Sequence, residues 1–384
     1  MRAPGGYEHR PWQRSCAALL CALLSSLPSS TAADASGGRA PIRFNDAHVH
    51  LTNYIQAGPD IRSFLRLMGD RVGRSVLFGI PFQQQWSYAN SGDFAPWYYL
   101  QTDSHLYYYS FTDAQIAMAY RSLEPAEQAR FDPMITGFNP TDMYGADHIR
   151  RVLTIFPGVF SGIGEFTVHK EFVSSKVAGD VATLTDRALD RVLDFAAEVG
   201  MPVLLHCDAS MPFPKPNQDP YLVMQLRELV LRHPRTTIIW AHAGVGRVVH
   251  PLPDHLAMLE RAIAGAPGPL YFDLSWDETA KYVTASAATI EATAAVLNRH
   301  PDRFLFGTDE VAPSDPKVYF GVAERYRPLL DRLTPEARAG FLGGNYTRIF
   351  DEARRRVRAW EATHASPQKA PVPSGPASGD TEVW

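Results

Sequence analysis

Near its start the chain reads Ile42-Arg43-Phe44-Asn45-Asp46-Ala47-His48-Val49-His50, an apolar, strand-like run that ends on two histidines. Side chains two residues apart on a strand point to the same face, so His48 and His50 face the same way. Two imidazoles held in this manner form half of a site for a divalent ion such as zinc. A His-x-His pair is weak evidence by itself, and its weight depends on the rest of the chain.

Four later apolar runs also end on residues of the metal-ligand type. These runs are 159–165, 201–206, 237–242 and 303–309, and they end on Glu165, His206, His242 and Asp309. Enzymes built on α/β barrels place their catalytic groups at the carboxyl ends of parallel strands. The repetition therefore predicts strands whose tips meet at one metal site.

Strand-like and helix-like segments alternate throughout the central part of the chain. The predicted strands are 43–49, 73–80, 132–138, 160–165, 202–206, 237–241, 269–274 and 303–308. The predicted helices are 60–69, 113–123, 145–155, 184–199, 220–232, 254–264, 280–299, 317–332 and 346–361. This alternation favours a parallel sheet with right-handed crossovers, and eight strands favour an α/β fold of the (β/α)8 TIM barrel type. An open doubly wound sheet is the alternative, but the sequence lacks the Gly-rich phosphate loop that usually follows its first strand.

The two ends of the chain differ from the centre in composition. Residues 1–33 predict a secretory signal peptide, because arginines precede a short apolar run that is followed by small residues. A buried helix is the alternative for this segment. Residues 34–41 are a small-residue linker, 42–362 are the predicted barrel, and 363–384 are a Pro- and Ser-rich tail predicted to be disordered. The signal predicts export to the periplasm or the exterior, with no run left that could span a membrane.

Composition narrows the range of partners. The 384-residue chain has a formal net charge of -4 and is 45% hydrophobic, which suffices for a large core. The sequence has no basic stripe before the last predicted helix, so it favours a small-molecule substrate over nucleic acid. Cys207 is the only cysteine outside the predicted signal, and the mature protein therefore has no internal disulfide.

An aromatic-rich insertion separates the second and third predicted strands. Residues 82–112 contain nine tryptophan, tyrosine and phenylalanine residues in the stretch from Trp86 to Tyr109. On a barrel this segment follows strand two on the active-site face, which predicts a substrate lid. A packing flap or a contact between the subunits of a homo-oligomer is the alternative.

Five short motifs carry a family resemblance. They are Asp46-Ala47-His48-Val49-His50-Leu51, Leu205-His206-Cys207-Asp208, Trp240-Ala241-His242-Ala243-Gly244, Phe306-Gly307-Thr308-Asp309 and Gly344-Asn345-Tyr346-Thr347-Arg348-Ile349-Phe350. In these motifs and in their order the chain resembles the amidohydrolase superfamily, and most of all its amidohydrolase-related branch (amidohydrolase 2) of metal-dependent hydrolases. The matches extend over nearly all of the predicted barrel.

The resemblance implies roles for the strand-end residues. His48, His50, His206 and Asp309 would bind the principal metal, and Asp309 would also take a proton from the attacking water. His242 would either polarise the substrate carbonyl or bind a second metal. The expected cofactor is a divalent metal, with zinc favoured, as one ion or two.

Glu165 has two possible roles. Many binuclear members of the superfamily carry a metal-bridging lysine at the end of strand four, whereas this chain has a glutamate there, which is similar to the TatD-like branch. Glu165 could bind or bridge metal, or it could orient a histidine from behind. Lys170 lies past the strand tip and is a poor substitute for the bridging lysine.

Four further residues are predicted to bind substrate: Asp208, Asp273, Trp276 and Arg247. Arg247 could clamp an anionic group, and a surface ion pair is its alternative role. Cys207 alternates away from His206, which predicts a buried thiol. The remaining histidines, His105, His148, His169, His250 and His255, have no comparable context and are predicted to be ordinary loop or helix residues.

Three functions follow from this reading. The leading one is metal-dependent hydrolysis of an amide, ester or lactone, with Asp309 as the base. The second is metal-dependent non-oxidative decarboxylation of a carboxylated ring, which this branch carries out with the same ligand set. The third is a non-catalytic secreted barrel, and the presence of every expected ligand argues against it.

Overall fold

Short strands alternate with helices along the chain, as the sequence predicts. The structure is a computed structural model that describes residues 40–52, 58–80, 111–170, 182–211 and 220–364. Its strands are β1 Phe44–Asp46, β2 Val49–His50, β3 Val72–Leu77, β4 Phe131–Ile135, β5 Gly162–His169, β6 Val203–Cys207, β7 Ile238–Trp240, β8 Leu270–Asp273, β9 Phe304–Leu305 and β10 Glu310–Val311.

The helices lie between the strands. They are α1 Ile61–Met68, α2 Thr112–Arg121, α3 Pro125–Gln128, α4 Gly145–Ile155, α5 Arg187–Val199, α6 Tyr221–Arg232, α7 His255–Gly265, α8 Asp277–Val283, α9 Ala287–Arg299, α10 Pro316–Arg325, α11 Arg327–Leu330, α12 Pro335–Ala339 and α13 Asn345–His364. Local signals in the sequence set several of their ends. The Asp60 carboxylate caps α1 by accepting from two backbone N–H groups, and Gly200 ends α5 in the left-handed region with φ 88.

The strands form a closed parallel sheet. The order β1-β3-β4-β5-β6-β7-β8-β9 places successive strands side by side, and β10 pairs in parallel with β2. Backbone hydrogen bonds also join the segment that carries β1 and β2 to the segment that carries β9 and β10. They run from Ala47 N to Phe306 O at 3.0 Å and from Asp309 N to His48 O at 2.8 Å. β1 with β2 is therefore one interrupted first strand, and β9 with β10 is one interrupted last strand. Their pairing closes a (β/α)8 TIM barrel, which confirms the predicted fold class.

Alternating strand residues divide the core into two layers. In the outer layer, strand residues such as Leu205 and Trp240 pack against helix residues such as Leu193 and Leu229. The inner cluster fills the barrel, and its members are Ala47, Val76, Phe78, Met134, Leu204, Ile239, Ala241, Tyr271, Leu305, Tyr346, Ile349 and Phe350. The last three residues belong to α13, which therefore packs across the amino-terminal end of the barrel.

A buried ion network holds α13 at that end. Asp132, fully buried at the start of β4, accepts bonds from Arg74 at 2.8, 2.9 and 3.1 Å and from the Tyr346 hydroxyl at 2.7 Å. Arg354 of α13 adds a bond of 2.5 Å to the same carboxylate. Asp351, which is exposed, also contacts Arg74 at 2.5 Å.

Two predicted helices are wrong in extent. The single helix expected over 280–299 is interrupted between Val283 and Ala287, where the Ser286 side chain accepts from Thr289 N at 3.1 Å and starts a new helix. The helix expected over 317–332 likewise divides into α10 and α11, and Pro328 lies in the first turn of α11. The sequence patterning also missed the short helices α3 and α12.

Several predictions fall on residues that the structure does not describe. The signal over 1–33 lies wholly outside the described residues and stays a prediction, as does export. Residues 34–39 of the linker, 82–110 of the lid and 365–384 of the tail are also outside them. Thr112, at the end of the predicted lid, begins α2, and residues 363 and 364 of the predicted tail still belong to α13. Within the described ranges, no helix combines the length and hydrophobicity that a membrane crossing needs.

Candidate metal centre

The strand-end residues converge at the carboxyl-terminal mouth of the barrel. His48 follows β1, Asp309 lies between β9 and β10, and His242 lies in a 3-10 turn, Ala241–Gly244, directly after β7. The six side chains are buried or nearly so: His48, His50, Glu165, His206, His242 and Asp309. The structure thus brings together all six residues to which the sequence analysis assigned metal or catalytic roles.

Two carboxylates lie at the centre of the group. Asp309 Oδ1 is 3.2 Å from both His48 Nε2 and His50 Nε2, and Asp309 Oδ2 is 3.7 Å from His242 Nε2. Glu165 divides its oxygens between two pairs of histidines. Its Oε2 faces His50 Nε2 at 3.3 Å and His48 Nε2 at 3.8 Å, and its Oε1 faces His206 Nδ1 at 2.6 Å and His242 Nε2 at 3.6 Å.

Hydrogen bonds behind the histidines set which nitrogen faces the centre. His48 Nδ1 is 2.5 Å from Asp273 Oδ2, and His50 Nδ1 is 3.0 Å from the carbonyl oxygen of Gly79. Carboxylate and carbonyl oxygens only accept, so each Nδ1 carries a proton and each Nε2 turns inward as a potential ligand atom.

The histidine nitrogens and carboxylate oxygens that face the centre are all potential electron-pair donors, and a cation between them would be bound by both. His48 Nε2 and His242 Nε2 are buried and make no hydrogen bond of good geometry. Three overlapping sets offer ligand atoms that all lie within 4.8 Å of one another: His48, His242 and Asp309; His48, His50 and Glu165; and Glu165, His206 and His242. Imidazole and carboxylate are the ligands of zinc and similar divalent ions, so this donor set fits a metal.

The pKa shifts report the same electrostatic field. Burial lowers the pKa of His48, but the charges of Asp309 and Asp273 outweigh it and raise that pKa well above the usual 6.5. The pKa of Asp309 is held far below its usual range, because the charge of nearby His48 and the hydrogen bond of His50 help outweigh the cost of burial. Burial lowers the pKa of His242, so this ring is neutral at pH 7 and suited to metal.

Backbone strain is concentrated at this mouth. His242, Trp276 and Asp309 have φ values of 53, 81 and 53, all in the left-handed region that residues with a Cβ rarely adopt. Each such residue costs about 1 to 3 kcal/mol, which the surrounding packing has to offset. His242 and Asp309 lie just past the ends of their strands, and this left-handed backbone conformation directs their side chains to the centre.

Lys170 reaches the site, although its position past the strand tip argued against a part in it. Its Nζ lies 3.8 Å from Glu165 Oε1, and the residue is only 8% exposed. The cause is a bulge in β5: Thr167 pairs with His206 and His169 with Cys207, so two steps on β5 match one on β6. A bulge shifts the alternation of side chains, and Lys170 therefore faces the same side as Glu165.

The residues predicted to bind substrate occupy different places. Asp273 is fully buried behind His48, where it contacts His48 Nδ1, and its second oxygen accepts from Ser275 N. In this position the carboxylate orients His48, and its predicted contact with substrate stays a prediction. Asp208 Oδ1 lies 3.2 Å from His206 Nε2 and is buried. Trp276 lines the mouth, with its ring 5.1 Å from that of His242.

Two cations flank the Trp276 ring. The Arg247 guanidinium lies 5.1 Å from the ring centre and Lys170 Nζ lies 5.7 Å from it. Arg247 also approaches Glu278 at 4.0 Å, which fits the alternative of a surface ion pair, and its predicted contact with an anionic substrate stays a prediction. Cys207 is a buried free thiol, as the alternation predicts.

Two further residues of the site, Ser275 and Asp46, have roles that the sequence did not predict. Ser275 Oγ lies 3.1 Å from His48 Nδ1 and 3.0 Å from His242 Nδ1, and it thereby links two candidate ligands. Asp46 accepts from His48 N at 3.2 Å and from Thr308 N at 2.8 Å, which joins the segments that carry His48 and Asp309. Asp46 opens the first motif, and that position was the only available hint of its role.

Comparison with known proteins gives a family match and several distant structural likenesses. The amidohydrolase family model matches residues 46–351. An uncharacterized TIM-barrel protein from Bordetella bronchiseptica is 13% identical, with 80% of this chain and 99% of that chain covered and a TM-score of 0.48. A zinc-bound amidohydrolase from Burkholderia multivorans is 14% identical, with 80% and 99% covered and a TM-score of 0.45.

A 5-carboxyvanillate decarboxylase from Sphingomonas paucimobilis is 17% identical, with 73% of this chain and 79% of that chain covered and a TM-score of 0.42. None of the curated proteins compared with the chain matches it.

Proposed function

The chain belongs to the amidohydrolase family, and from that premise we propose that it is a metal-dependent hydrolase that cleaves an amide, ester or lactone bond of a small molecule. The proposal is carried by one observation: the buried Nε2 atoms of His48 and His242 face the Glu165 and Asp309 carboxylates without a hydrogen bond. A divalent cation, with zinc as the leading candidate, supplies a Lewis acid there that lowers the pKa of water to about 7 and polarises an acyl oxygen.

Asp309 is suited to move a proton. Its low pKa keeps it ionised at neutral pH, and its two oxygens face different histidines, so one can accept a proton while the other keeps its contact. A carboxylate in this position takes a proton from the attacking water and returns it to the leaving group. His242, neutral and bonded through Nδ1 to Ser275, either binds a cation or donates to the substrate carbonyl.

Glu165 supports a site for two cations. Because Oε1 and Oε2 face different histidine pairs, one carboxylate can bind an ion on each side. A bridging Glu165 is the TatD-like feature that we propose at the fourth strand. Lys170 adds a positive charge that lowers the pKa of Glu165 and keeps it ionised.

Metal analysis of purified protein tests the centre directly. We expect two equivalents of divalent ion in the wild-type protein and one in Glu165→Gln, because the amide cannot bridge two cations. Glu260→Gln, a surface change, serves as the control and should keep both. Two equivalents in both variants would assign Glu165 to orienting His206, and no metal in the wild type would end the proposal.

A hydrolysis assay on a panel of lactones and N-acyl amino acids tests the chemistry. Asp309→Asn should lower kcat by about 10²- to 10⁴-fold, the usual contribution of a positioned base. Asp254→Asn, which alters an exposed carboxylate paired with Arg261, should leave kcat unchanged. Full activity of Asp309→Asn would contradict its role as the base.

Decarboxylation of a carboxylated ring is the second candidate function. The positions of Lys170 and Arg247 beside the Trp276 ring favour this function, because an aromatic ring next to two positive charges suits the binding of a planar anion. Release of carbon dioxide from hydroxybenzoic acids, with no acid released from lactones, would select this function. Arg247→Met should then raise KM for the acids by at least tenfold, whereas Arg299→Met, on a surface helix, should leave it unchanged.

A further inference from the structure

Ser275 lies between two of the candidate ligands and is completely buried. Its Oγ is 3.1 Å from His48 Nδ1 and 3.0 Å from His242 Nδ1. The serine is held from behind by Asp273, because one carboxylate oxygen accepts from the Ser275 backbone N–H and the other contacts His48. Among the residues that the structure describes, the hydroxyl has no further hydrogen-bond partner. The two imidazoles therefore decide where its single proton can go.

His48 cannot accept the hydroxyl proton. Its Nδ1 is 2.5 Å from Asp273 Oδ2, and a carboxylate oxygen only accepts, so this nitrogen carries a proton of its own. The Ser275 oxygen can share that N–H group as a second acceptor, but its own O–H group has to point elsewhere. A buried hydroxyl left without an acceptor would make such a state less populated by about 5- to 150-fold.

His242 Nδ1 is the acceptor that remains for the Ser275 hydroxyl. A nitrogen that accepts a hydrogen bond carries no proton, so the one proton of this imidazole lies on Nε2. Nε2 is buried and makes no hydrogen bond to the described residues. It faces Glu165 Oε1 at 3.6 Å and Asp309 Oδ2 at 3.7 Å, and two anionic oxygens at this range attract an N–H group and repel a nitrogen lone pair.

We propose that Ser275 is a positioning residue that sets the tautomer of His242: its hydroxyl donates to Nδ1 and keeps the ring proton on Nε2, so that His242 donates a hydrogen bond into the barrel mouth and is not a metal ligand. The inference rests on the proposed function for the acceptor, a substrate oxygen on which negative charge develops. It chooses between the two roles open for His242. His48, His50 and Glu165, which form a set without this ring, stay available to a cation.

Nitrogen NMR of the His242 ring tests the tautomer, because protonated and bare ring nitrogens have well-separated chemical shifts. The protein is labelled at its histidine rings, the His242 signals are identified by their loss in His242→Gln, and spectra are recorded before and after addition of Zn²⁺. Nε2 should carry the proton and Nδ1 should be bare in both spectra. A proton on Nδ1, or Zn²⁺ bound to Nε2, would overturn the proposal. The spectrum without Zn²⁺ tests this inference even if the protein binds no metal and the proposed function fails.

Ser275→Ala tests whether the hydroxyl is the donor. The chemical shift of His242 Nδ1 should change because this nitrogen loses its hydrogen bond, whereas Zn²⁺ content should stay at the wild-type level because the carboxylate behind His48 remains. In the hydrolysis assay kcat should fall about tenfold or more, up to the roughly 10²- to 10³-fold that loss of a donor to a developing charge costs.

Ser75→Ala is the matched control, because Ser75 is equally buried but its hydroxyl donates to the Val76 carbonyl at 2.8 Å. It should leave the His242 signals and kcat unchanged, and thermal unfolding checks that both variants fold. An unchanged Nδ1 shift in Ser275→Ala, or loss of Zn²⁺ from this variant, would overturn the positioning role.

Discussion

The ion network around Asp132 at the amino-terminal end of the barrel should contribute to stability without contributing to metal binding at the opposite end. Asp132→Asn keeps the shape of the side chain but removes its charge. The new amide N–H group faces Arg74, Arg354 and the Tyr346 hydroxyl, which all donate to the native carboxylate. At least one buried donor is then left without an acceptor, Arg354 loses its counter-charge, and Arg74 keeps only the exposed Asp351.

The expected loss of stability follows from how deeply the two arginine partners of Asp132 are buried. Removing one member of a buried ion pair costs about 3 to 5 kcal/mol. Water reaches the Arg354 side chain, which is 30% exposed, whereas Arg74 is 17% exposed, so we take the lower end of that range. For a barrel of about 320 residues the entropy of unfolding is roughly 0.7 kcal/mol/K, so a loss of about 3 kcal/mol corresponds to a fall in Tm of roughly 4 to 5 °C.

Thermal unfolding, monitored by circular dichroism, measures this shift in Tm. Metal content at 25 °C shows whether the metal centre at the opposite end of the barrel is intact. Metal content should not change, because Asp132 lies at the start of its strand and the metal centre lies at the opposite strand ends. Asp351→Asn is the matched control: Asp351 binds the same Arg74 but is 58% exposed, so it should cost less than about 1 kcal/mol. Equal Tm shifts in the two variants, or loss of metal from Asp132→Asn at 25 °C, would refute this reasoning.

Two further predictions concern the metal centre. In metal-free protein the raised pKa values of His48 and His50 contribute stability that is fully present below 6.5 and is lost as pH rises through the folded values. Zinc replaces those protons, so its stabilisation in a thermal shift assay should grow between about pH 5.5 and about pH 8, and a gain independent of pH would contradict this account. Gly307→Ala should release metal and cost about 1 to 3 kcal/mol, because a Cβ there would lie 2.8 Å from His48 Cβ. Gly321→Ala, where a Cβ meets nothing within 4 Å, should leave metal content unchanged, and equal loss in both variants would count against the steric explanation.

Periodicity and strand-end chemistry were enough to predict the barrel. The eight predicted strands correspond to those observed, because each is a short apolar run bounded by a turn or a helix end. The last one is shorter than predicted: β9 ends at Leu305, and the chain turns through the left-handed Asp309 before β10. Composition gives little warning of this interruption, because Phe306 continues the apolar run and only Gly307 is a general signal for a break.

The candidate site was predictable where residue type and position agree. His48, Glu165 and His206 stand at strand ends in types that bind metal, and the structure brings them together. Lys170 was set aside because the predicted strand ends at Glu165, whereas β5 continues to His169 and its bulge turns Lys170 to the same side as Glu165. The role of Ser275 was missed because it depends on a contact across 227 residues of sequence with His48, and one sequence carries no trace of that contact.

The closing seam of the barrel determines when metal can be bound during synthesis of the protein. Asp46 and Thr308, which join the two edges, are 262 residues apart, and His48 and Asp309 lie directly beside them. At about 5 to 20 residues per second, roughly tens of seconds pass between the synthesis of the first ligand and that of the last. Until then the early histidines lack their central carboxylate partner Asp309, and a chain broken before this residue cannot complete the centre. Completion of the centre is thus a late event that waits for the last strand segment of the barrel.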